Sequence, residues 1–517
     1  MTMEKRADTK NGILRLIFVA LAVLLEALFL IGLLVTGLHK YAELISIFVR
    51  LAALILVLAI YSQKKTASIK MPWIILILVF PTIGVSLYLL IGLSGSTRRM
   101  KKRYEEIDRV VFSHLPQDEA ISDSLHTAFP QWEGVSRYIC RQALYPVYRD
   151  TEVTYFEDAA KALEAQKEAI RGAKQFIFME YFAIEDRDSW RSVEELLEEK
   201  VREGVEVRVF YDDVGSAGLT NTDFAKKLQK KGIRSRVFNP MTPLFNMFLN
   251  NRDHRKMTIV DNKVAFTGGY NIANEYFNVT SPFGHWKDTG VRLEGDAVRA
   301  MTLTFLEMWN AVRADDADDA NTAAYVENTA KTQKPGGFVQ FYADNPMDKK
   351  PVGEDVYLGI MNRAERYLYI MTPYLIITDE MSRMLGNAAK RGVDVRIVTP
   401  GIPDKKLIYQ LTRSYYNRLA FDGVRIFEYT PGFCHAKMCV ADDTVATCGT
   451  INLDYRSFYH HFEDGCLLVG CGAVTDIRKD FDDTFRQCRE VTEKYRTGRS
   501  AGLRFGQLLL RLFAPLL

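Results

Sequence analysis

The sequence predicts an α/β protein in which two repeats build one catalytic centre, with membrane-spanning helices ahead of them. Three observations predict it. Residues 251–271 read NRDHRKMTIVDNKVAFTGGYN and residues 432–452 read GFCHAKMCVADDTVATCGTIN. His254, Lys256, Asp261, Gly268, Gly269 and Asn271 fall at H-x-K-x4-D-x6-G-G-x-N, and His435, Lys437, Asp442, Gly449, Thr450 and Asn452 fall at the same offsets, with Thr450 in place of the second glycine. From about Asp150 onward, short β-rich runs alternate with longer helical patterns, the order of an α/β domain. Finally, most of the first 93 residues are apolar and the remainder is richly charged, although the whole chain averages an ordinary 48% hydrophobic and 25% charged residues.

The membrane region is expected over residues 1–95. A spanning helix needs about 20 mainly apolar residues. Ile13–Leu38, Leu44–Tyr61 and Met71–Leu93 are the candidates, the last with Pro81 and Gly84 midway. Three such runs in succession argue against a cleaved signal peptide. Basic residues cluster before the first run (Lys5, Arg6, Lys10), between the second and third (Lys64, Lys65, Lys70) and after the third (Arg98, Arg99, Lys101, Lys102, Arg103). The positive-inside rule wants all three clusters on one side. Three full crossings forbid that, so the third run is expected to be a hairpin broken at Pro81 and Gly84. A basic lead-in covers residues 96–149.

Two repeats follow, at 150–312 and 338–495. Gln175–Ile184 matches Arg366–Ile376. Helices are expected over Ser192–Glu203 and Glu380–Arg391, then strands over Gly204–Asp212 and Gly392–Pro400, and again over Gly232–Phe238 and Gly423–Tyr429. Each half closes on its H-x-K stretch, and the shared order marks a duplication. Residues 313–337, with ADDADDANTAA and PGG, read as a solvated linker. The first half carries an additional apolar stretch, Met241–Asn250, before His254; it suits a lipid acyl chain or an ordinary packed loop. Residues 496–517 form a basic tail, with Arg504 and Arg511 among leucines, that suits an interfacial amphipathic helix or packing on the domain.

Seven cysteines, an odd number without a C-x2-C pair, are expected to be reduced core thiols. Cys434, His435 and Cys439 lack the spacing of a zinc site, and no metal or cofactor is expected. A net charge of +3 over 517 residues says little about partners; no nucleic acid is expected as one, since a nuclease gives no reason for membrane spans.

The paired motif carries the chemistry. Histidine serves as nucleophile or general acid, and lysine supplies a cation for phosphate oxygens. Glycine lets backbone approach a ligand, and Asn271 and Asn452 add amide donors for phosphate. Alternation places His254 and Lys256 on one strand face, and likewise His435 and Lys437. Two copies around one tetrahedral anion fit metal-free phosphoryl chemistry.

The six-position pattern, found twice, resembles the H-K-D motifs of the phospholipase D superfamily. Over nearly the whole chain, PTIGVSLYLLIG (residues 81–92), WKDTGVRLEG (286–295), TPYLI (372–376) and GTINLDYRS (449–457) are similar to bacterial cardiolipin synthases. The resemblance implies transfer of a phosphatidyl group between two phosphatidylglycerol molecules through a phosphohistidine, in a multi-pass protein of the bacterial cell membrane with its catalytic part on the cytoplasmic side. It implies His254 as nucleophile and His435 as acid/base, with the reverse order left open by the near-symmetry. Lys256, Lys437, Asn271 and Asn452 would hold phosphate oxygens. Asp288 and Glu463, each seven residues before a glycine (Gly295, Gly470), would support histidines of the opposite half, Asp288 with His435 and Glu463 with His254. Asp261 and Asp442 complete the motif set, with structural roles in the turn. His461 departs from the family, which often has Asn there. A hydrolytic phospholipase D would use the same residues and release phosphatidic acid. A non-catalytic membrane scaffold is the alternative from another class.

Overall fold

Three short helices open the computed structural model, which describes residues 42–64, 66–89, 98–240, 251–312, 322–327, 329–330, 336–348, 350–497 and five positions of the C-terminal tail. The apolar run Ile13–Leu38 and the stretch Met241–Asn250 lie outside the described residues. Helix α1 covers Ala42–Tyr61, α2 Ala67–Val79 and α3 Pro81–Leu87. Phe80 leaves the helical region at φ −129°, ψ 74°, and Pro81 restarts the chain as the first residue of α3, where its missing N–H costs nothing. Gly84 then lies against α2 so closely that a Cβ would sit 2.6 Å from Ile77 Cα. The described part of the run Met71–Leu93, residues 71–89, is therefore folded back on itself, broken where its proline and glycine predict. Among the described residues no helix is long and apolar enough to cross a membrane, so the spanning helices expected from hydropathy are not found there. The outer face of α1 is nevertheless apolar, with Ile47, Phe48, Leu51, Ile55 and Leu58 exposed.

Helix α4 (Arg98–Val111) leads into the charged part. It is amphipathic: Tyr104, Ile107 and Val111 are buried, while Lys101–Glu105 and Lys102–Glu106 pair at the surface.

The first repeat supplies strands β1 (Thr151–Phe156), β2 (Phe176–Tyr181), β3 (Glu206–Asp212), β4 (Arg234–Phe238), β5 (Arg252–Asp253), β6 (Lys256–Val260), β7 (Val264–Gly268), β8 (His285–Lys287) and β9 (Gly290–Gly295). The second supplies β10 (Phe338–Asp344), β11 (Tyr367–Met371), β12 (Leu375–Ile376), β13 (Asp394–Pro400), β14 (Arg425–Tyr429), β15 (Gly432–Cys434), β16 (Met438–Ala441), β17 (Val445–Gly449), β18 (Leu453–Asp454), β19 (His461–Val469) and β20 (Cys488–Glu490). One mixed sheet runs β1-β9-β7-β6-β2-β3-β4; the other runs β10-β19-β17-β16-β11-β13-β14-β20. Strand for strand the second repeats the first, with β20 added at one edge. The parallel pairs β2–β3 and β3–β4 recur as β11–β13 and β13–β14. The central strands are buried along their whole length, which is why they read as continuous apolar runs rather than alternating ones.

The helices expected after β2 and β11 are Asp188–Arg202 and Asp379–Lys390. Thr378 caps the second by accepting from the Met381 N–H. Helix Val298–Val312 is buried almost all round. Its Phe305 stacks on Phe178 of β2 at 4.6 Å, inside one continuous core that also holds Phe341, Met371, Met438 and Cys466. Part of the linker joins that core: Tyr325 meets Phe176 edge-on and accepts a hydrogen bond from Arg208 at 2.6 Å. In the tail, Arg511 lies over the Tyr415 ring and Ala514 is buried. All seven cysteines are free thiols, five of them buried.

Candidate active site

Each half lends the other a strand. Beside the first motif, β5 pairs with β19, Arg252 opposite His461 and Asp253 opposite Phe462. Beside the second, β15 pairs with β8, Phe433 opposite Trp286 and Cys434 opposite Lys287. The seams end at the histidines: the His254 N–H donates to the Phe462 carbonyl at 2.9 Å, and the His435 N–H donates to the Lys287 carbonyl at 2.8 Å. Strand alternation placed each histidine inside its own sheet. Instead β6 begins at Lys256 and β16 at Met438, because the preceding residues hydrogen-bond to the opposite half.

The same seams deliver the carboxylates. Asp288 follows β8 and Glu463 lies in β19. His254 Nδ1 is 2.9 Å from each oxygen of Glu463, and His435 Nδ1 is 2.7 Å from Asp288 Oδ2. Both contacts cross between halves, in the pairing the sequence suggests. A carboxylate on Nδ1 places the proton there and leaves Nε2 with its lone pair. His254 and His435 are 7% and 5% exposed. Burial, together with the Lys256 and Lys437 charges, drives His254 well below an ordinary imidazole. Burial and Lys437 bring His435 down to about 4, against the pull of Asp288. Burial opposes ionisation of Asp288, yet His435 and Lys437 hold its carboxyl below the usual carboxylate range.

Each motif lysine turns back to the carbonyl of its own histidine, Lys256 to His254 and Lys437 to His435. Lys437 Nζ also lies 2.8 Å from His435 Nδ1; an Nδ1–H that donates to Asp288 cannot also accept from an ammonium, so the Asp288 contact takes that nitrogen. Burial lowers Lys256 to about 8 and Lys437 to about 7. The asparagines differ. Asn271 Oδ1 accepts from the Ala183 N–H at 3.0 Å and its Nδ2 donates to Tyr276 Oη at 2.8 Å, so its amide is already engaged. Asn452 Oδ1 is buried with no hydrogen-bond partner among the described residues.

The motif aspartates point away from the histidines. Asp261 accepts the backbone N–H groups of Lys174, Gln175 and Phe176, and Asp442 those of Glu365, Arg366 and Tyr367. Each fixes the start of a central strand, β2 or β11. Each also opens a tight hairpin with two left-handed residues, Asp261–Asn262 and Asp442–Asp443, a conformation that Asn and Asp tolerate. The glycines answer to close approach. A Cβ on Gly268 would lie 2.4 Å from the Thr289 carbonyl, and one on Gly449 the same distance from that of Asp464. A Cβ on Gly269 would lie 2.0 Å from Asp288 Oδ1. At the matching place Thr450 is accommodated, because Glu463 reaches one methylene further; the Thr450 hydroxyl donates to Glu463 Oε2 at 2.6 Å.

Sequence reasoning missed the surroundings of Glu463. His461 Nδ1 faces Glu463 Oε1 at 3.6 Å, and His461 Nε2 accepts from Arg456 Nε at 3.2 Å. The departure from asparagine at 461 was the available signal. His254, His461 and Glu463 place ligand-type atoms within 4.8 Å of one another, the donor set of a divalent cation. Aromatic rings wall both histidines: Phe182 beside His254, and Tyr276, Trp286 and Phe433 beside His435.

Comparison with known proteins decides the family. A model described as "Cardiolipin synthase, PLD-like domain" matches residues 167–302 and 357–485. The chain belongs to the phospholipase D-like cardiolipin synthase family. A phospholipase D-nuclease N-terminal model matches residues 51–92. Among curated relatives in the cardiolipin synthase group, the cardiolipin synthase of Oceanobacillus iheyensis is 31% identical, the match covering 89% of this chain and 95% of that one. Cardiolipin synthase 2 of Bacillus anthracis is 30% identical over 89% of this chain and 88% of its own. An uncharacterized protein of Streptococcus mutans serotype c is 41% identical over 88% of this chain and 98% of its own. The crystal structure of phosphatidylserine synthase from Haemophilus influenzae Rd KW20 shares the fold, with a TM-score of 0.51 at 15% identity, covering 70% of this chain and 93% of that one.

Proposed function

We propose that this protein is a cardiolipin synthase, a phosphatidyltransferase acting on two molecules of phosphatidylglycerol. The repeats, residues 150–312 and 338–495, form one pseudo-twofold catalytic unit. The observation that carries the reading is the reciprocal support of the two histidines, His254 by Glu463 and His435 by Asp288, with both motif lysines alongside.

In the first step His254 Nε2 attacks the phosphorus of one phosphatidylglycerol. An N–P bond forms, the bond from phosphorus to the glycerol headgroup oxygen breaks, and His435 gives that oxygen its proton. In the second, the terminal hydroxyl of another phosphatidylglycerol attacks the phosphohistidine. His435 takes the hydroxyl proton, the N–P bond breaks, and cardiolipin leaves. Lys256, Lys437 and Asn452 hold the phosphate oxygens, and Asn271 joins them once its contact with Tyr276 opens. Burial of both histidines supports transfer over hydrolysis, since a water-excluded intermediate waits for its alcohol. The exposed apolar face of α1 and the hairpin of α2 and α3 support attachment to a lipid membrane.

The test is to incubate purified protein with phosphatidylglycerol in detergent and resolve the lipids. Cardiolipin with glycerol is expected; phosphatidic acid alone would make the protein a hydrolase. His254→Ala and His435→Ala are each expected to abolish turnover, and a His254→Ala variant that retained it would remove the assigned nucleophile.

A further inference from the structure

The proposed reaction brings two phosphodiesters together, and the motif residues serve one. Lys256, Lys437 and Asn452 take the phosphate that is transferred. The acceptor phosphatidylglycerol carries a second phosphate, at the far end of the same glycerol whose terminal hydroxyl meets His435. That anion lies further out on the His435 side, along a wall of rings. Tyr276, Trp286 and Phe433 flank His435 at centroid distances of 5.3, 5.2 and 5.7 Å. Rings give an anion no counter-charge, and the ionised Asp288 repels one. Lys287, next to Asp288 in the chain, is buried and held by both oxygens of Asp480, at 2.8 and 3.0 Å.

A cation stands at the outer edge of this wall. Tyr374 packs on Phe433 with centroids 6.4 Å apart, and the Lys405 ammonium lies over the Tyr374 ring at 5.7 Å. The segment that carries it, Gly401–Lys405, is fastened to the seam between the halves. The N–H groups of Gly401 and Ile402 both donate to the Gly432 carbonyl of β15, at 3.2 and 3.1 Å. Asp404 accepts from Tyr374 Oη at 2.6 Å and from the Lys405 backbone N–H at 2.7 Å. Its carboxylate thus shapes the loop, and it stands 4.0 Å from the Lys405 ammonium, beyond hydrogen-bond reach. The Lys405 side chain is 67% exposed, and among the described residues its Nζ gives no hydrogen bond. Burial is the first cause that lowers His254, yet the Lys405 charge is among the others. An exposed ammonium that acts on a buried histidine stands at the mouth of the site.

We infer that Lys405, set in place by Tyr374 and Asp404, binds the phosphate of the acceptor phosphatidylglycerol and so selects a phosphorylated alcohol over free glycerol as the acceptor. This rests on the transfer reading above. An ammonium on a four-carbon stem is a point charge with three rotatable donors. It can leave the Tyr374 ring to meet a phosphodiester in charge-assisted hydrogen bonds. Free glycerol has the same hydroxyl for His435 to deprotonate, but offers Lys405 no anion.

The test lets both acceptors compete for one phosphohistidine. The full-length protein in detergent is given phosphatidylglycerol together with radiolabelled glycerol. Attack by the lipid hydroxyl gives cardiolipin; attack by glycerol gives labelled phosphatidylglycerol. The ratio of the two products reports acceptor choice alone, and does not depend on how much of a variant is folded. Lys405→Ala is expected to lower the ratio of cardiolipin to labelled phosphatidylglycerol by about tenfold, the loss of one hydrogen-bonded charge contact. Lys405→Arg, which keeps the charge, is expected to hold it within about twofold of the parent. Lys406, the exposed lysine next in the chain, is the control, and Lys406→Ala is expected to leave the ratio unchanged. A parent ratio in Lys405→Ala, or an equal fall in Lys406→Ala, would overturn the inference. A parent protein that releases phosphatidic acid alone would instead overturn the transfer reading.

Discussion

At the scale of single residues, the buried lysines make binding pH-dependent. At pH 8 Lys437, near 7, is largely neutral and Lys256, near 8, is about half so, while the site is empty. A phosphate anion favours their charged forms and raises both values. Binding of glycerol phosphate at pH 8 is therefore expected to take up about one proton, and affinity is expected to fall as pH rises beyond 8. Titration calorimetry in buffers of different ionisation enthalpy measures the uptake; proton release would contradict the charge assignment. The supporting carboxylates set a second expectation. Asp288→Asn keeps the shape but loses the charge that stabilises the His435 imidazolium, and is expected to lower kcat by about a hundredfold to ten-thousandfold. Glu463→Gln, which removes the charge beside His254, is expected to lower it by a similar factor. Steady-state rates of the two variants measure both losses.

At the scale of elements, the turn between β7 and the second shared glycine position admits no side chain in the first half. Gly269→Ala would drive its Cβ into the Asp288 carboxylate, 2.0 Å away. It is expected to reduce turnover nearly as far as Asp288→Asn, whereas Thr450→Gly, which only removes a donor, leaves the fold of its turn intact. The rates, with circular dichroism to verify folding, separate the two. The strands most legible in the sequence are the long buried ones, such as β3 and β13, whose glycine-led apolar runs are hard to read otherwise. The helices after β2 and β11 were legible from their periodicity, and the break at Pro81 from its chemistry. What the chain does not announce are β5, β8, β12, β15 and β18, of two or three residues each. So short a segment has no period, and its partner lies far away in the chain. For the same reason the placement of His254 and His435 ahead of their strands was invisible, although the residues themselves, with Asp288 and Glu463, stood out by spacing. Thr450, His461 and Arg456 acquire meaning only when β19 is laid beside the first motif.

At the scale of the whole molecule, one buried arginine ties the halves together. Arg255, between His254 and Lys256, lies 3.8 Å from Glu180 of β2 and 3.9 Å from Glu307 of the central helix. It stacks over Phe462 of β19. Tyr104 of α4 stacks on the same Phe462 ring at 5.5 Å, so the helix that follows the apolar hairpin also meets this contact. Removing one partner of a buried charge cluster costs about 3 to 5 kcal/mol. Arg255→Ala is expected to lower the unfolding temperature of the purified protein by several degrees; an unchanged melting curve would show that the cluster is not needed for assembly.

The crossed strands have a consequence for synthesis. A ribosome delivers His254 more than two hundred residues before Glu463, and Asp288 well before His435. Until the last strands of the second half emerge, the nascent chain holds a histidine without its acid and an acid without its histidine. The site is therefore complete only once β15 has paired with β8 and β19 with β5.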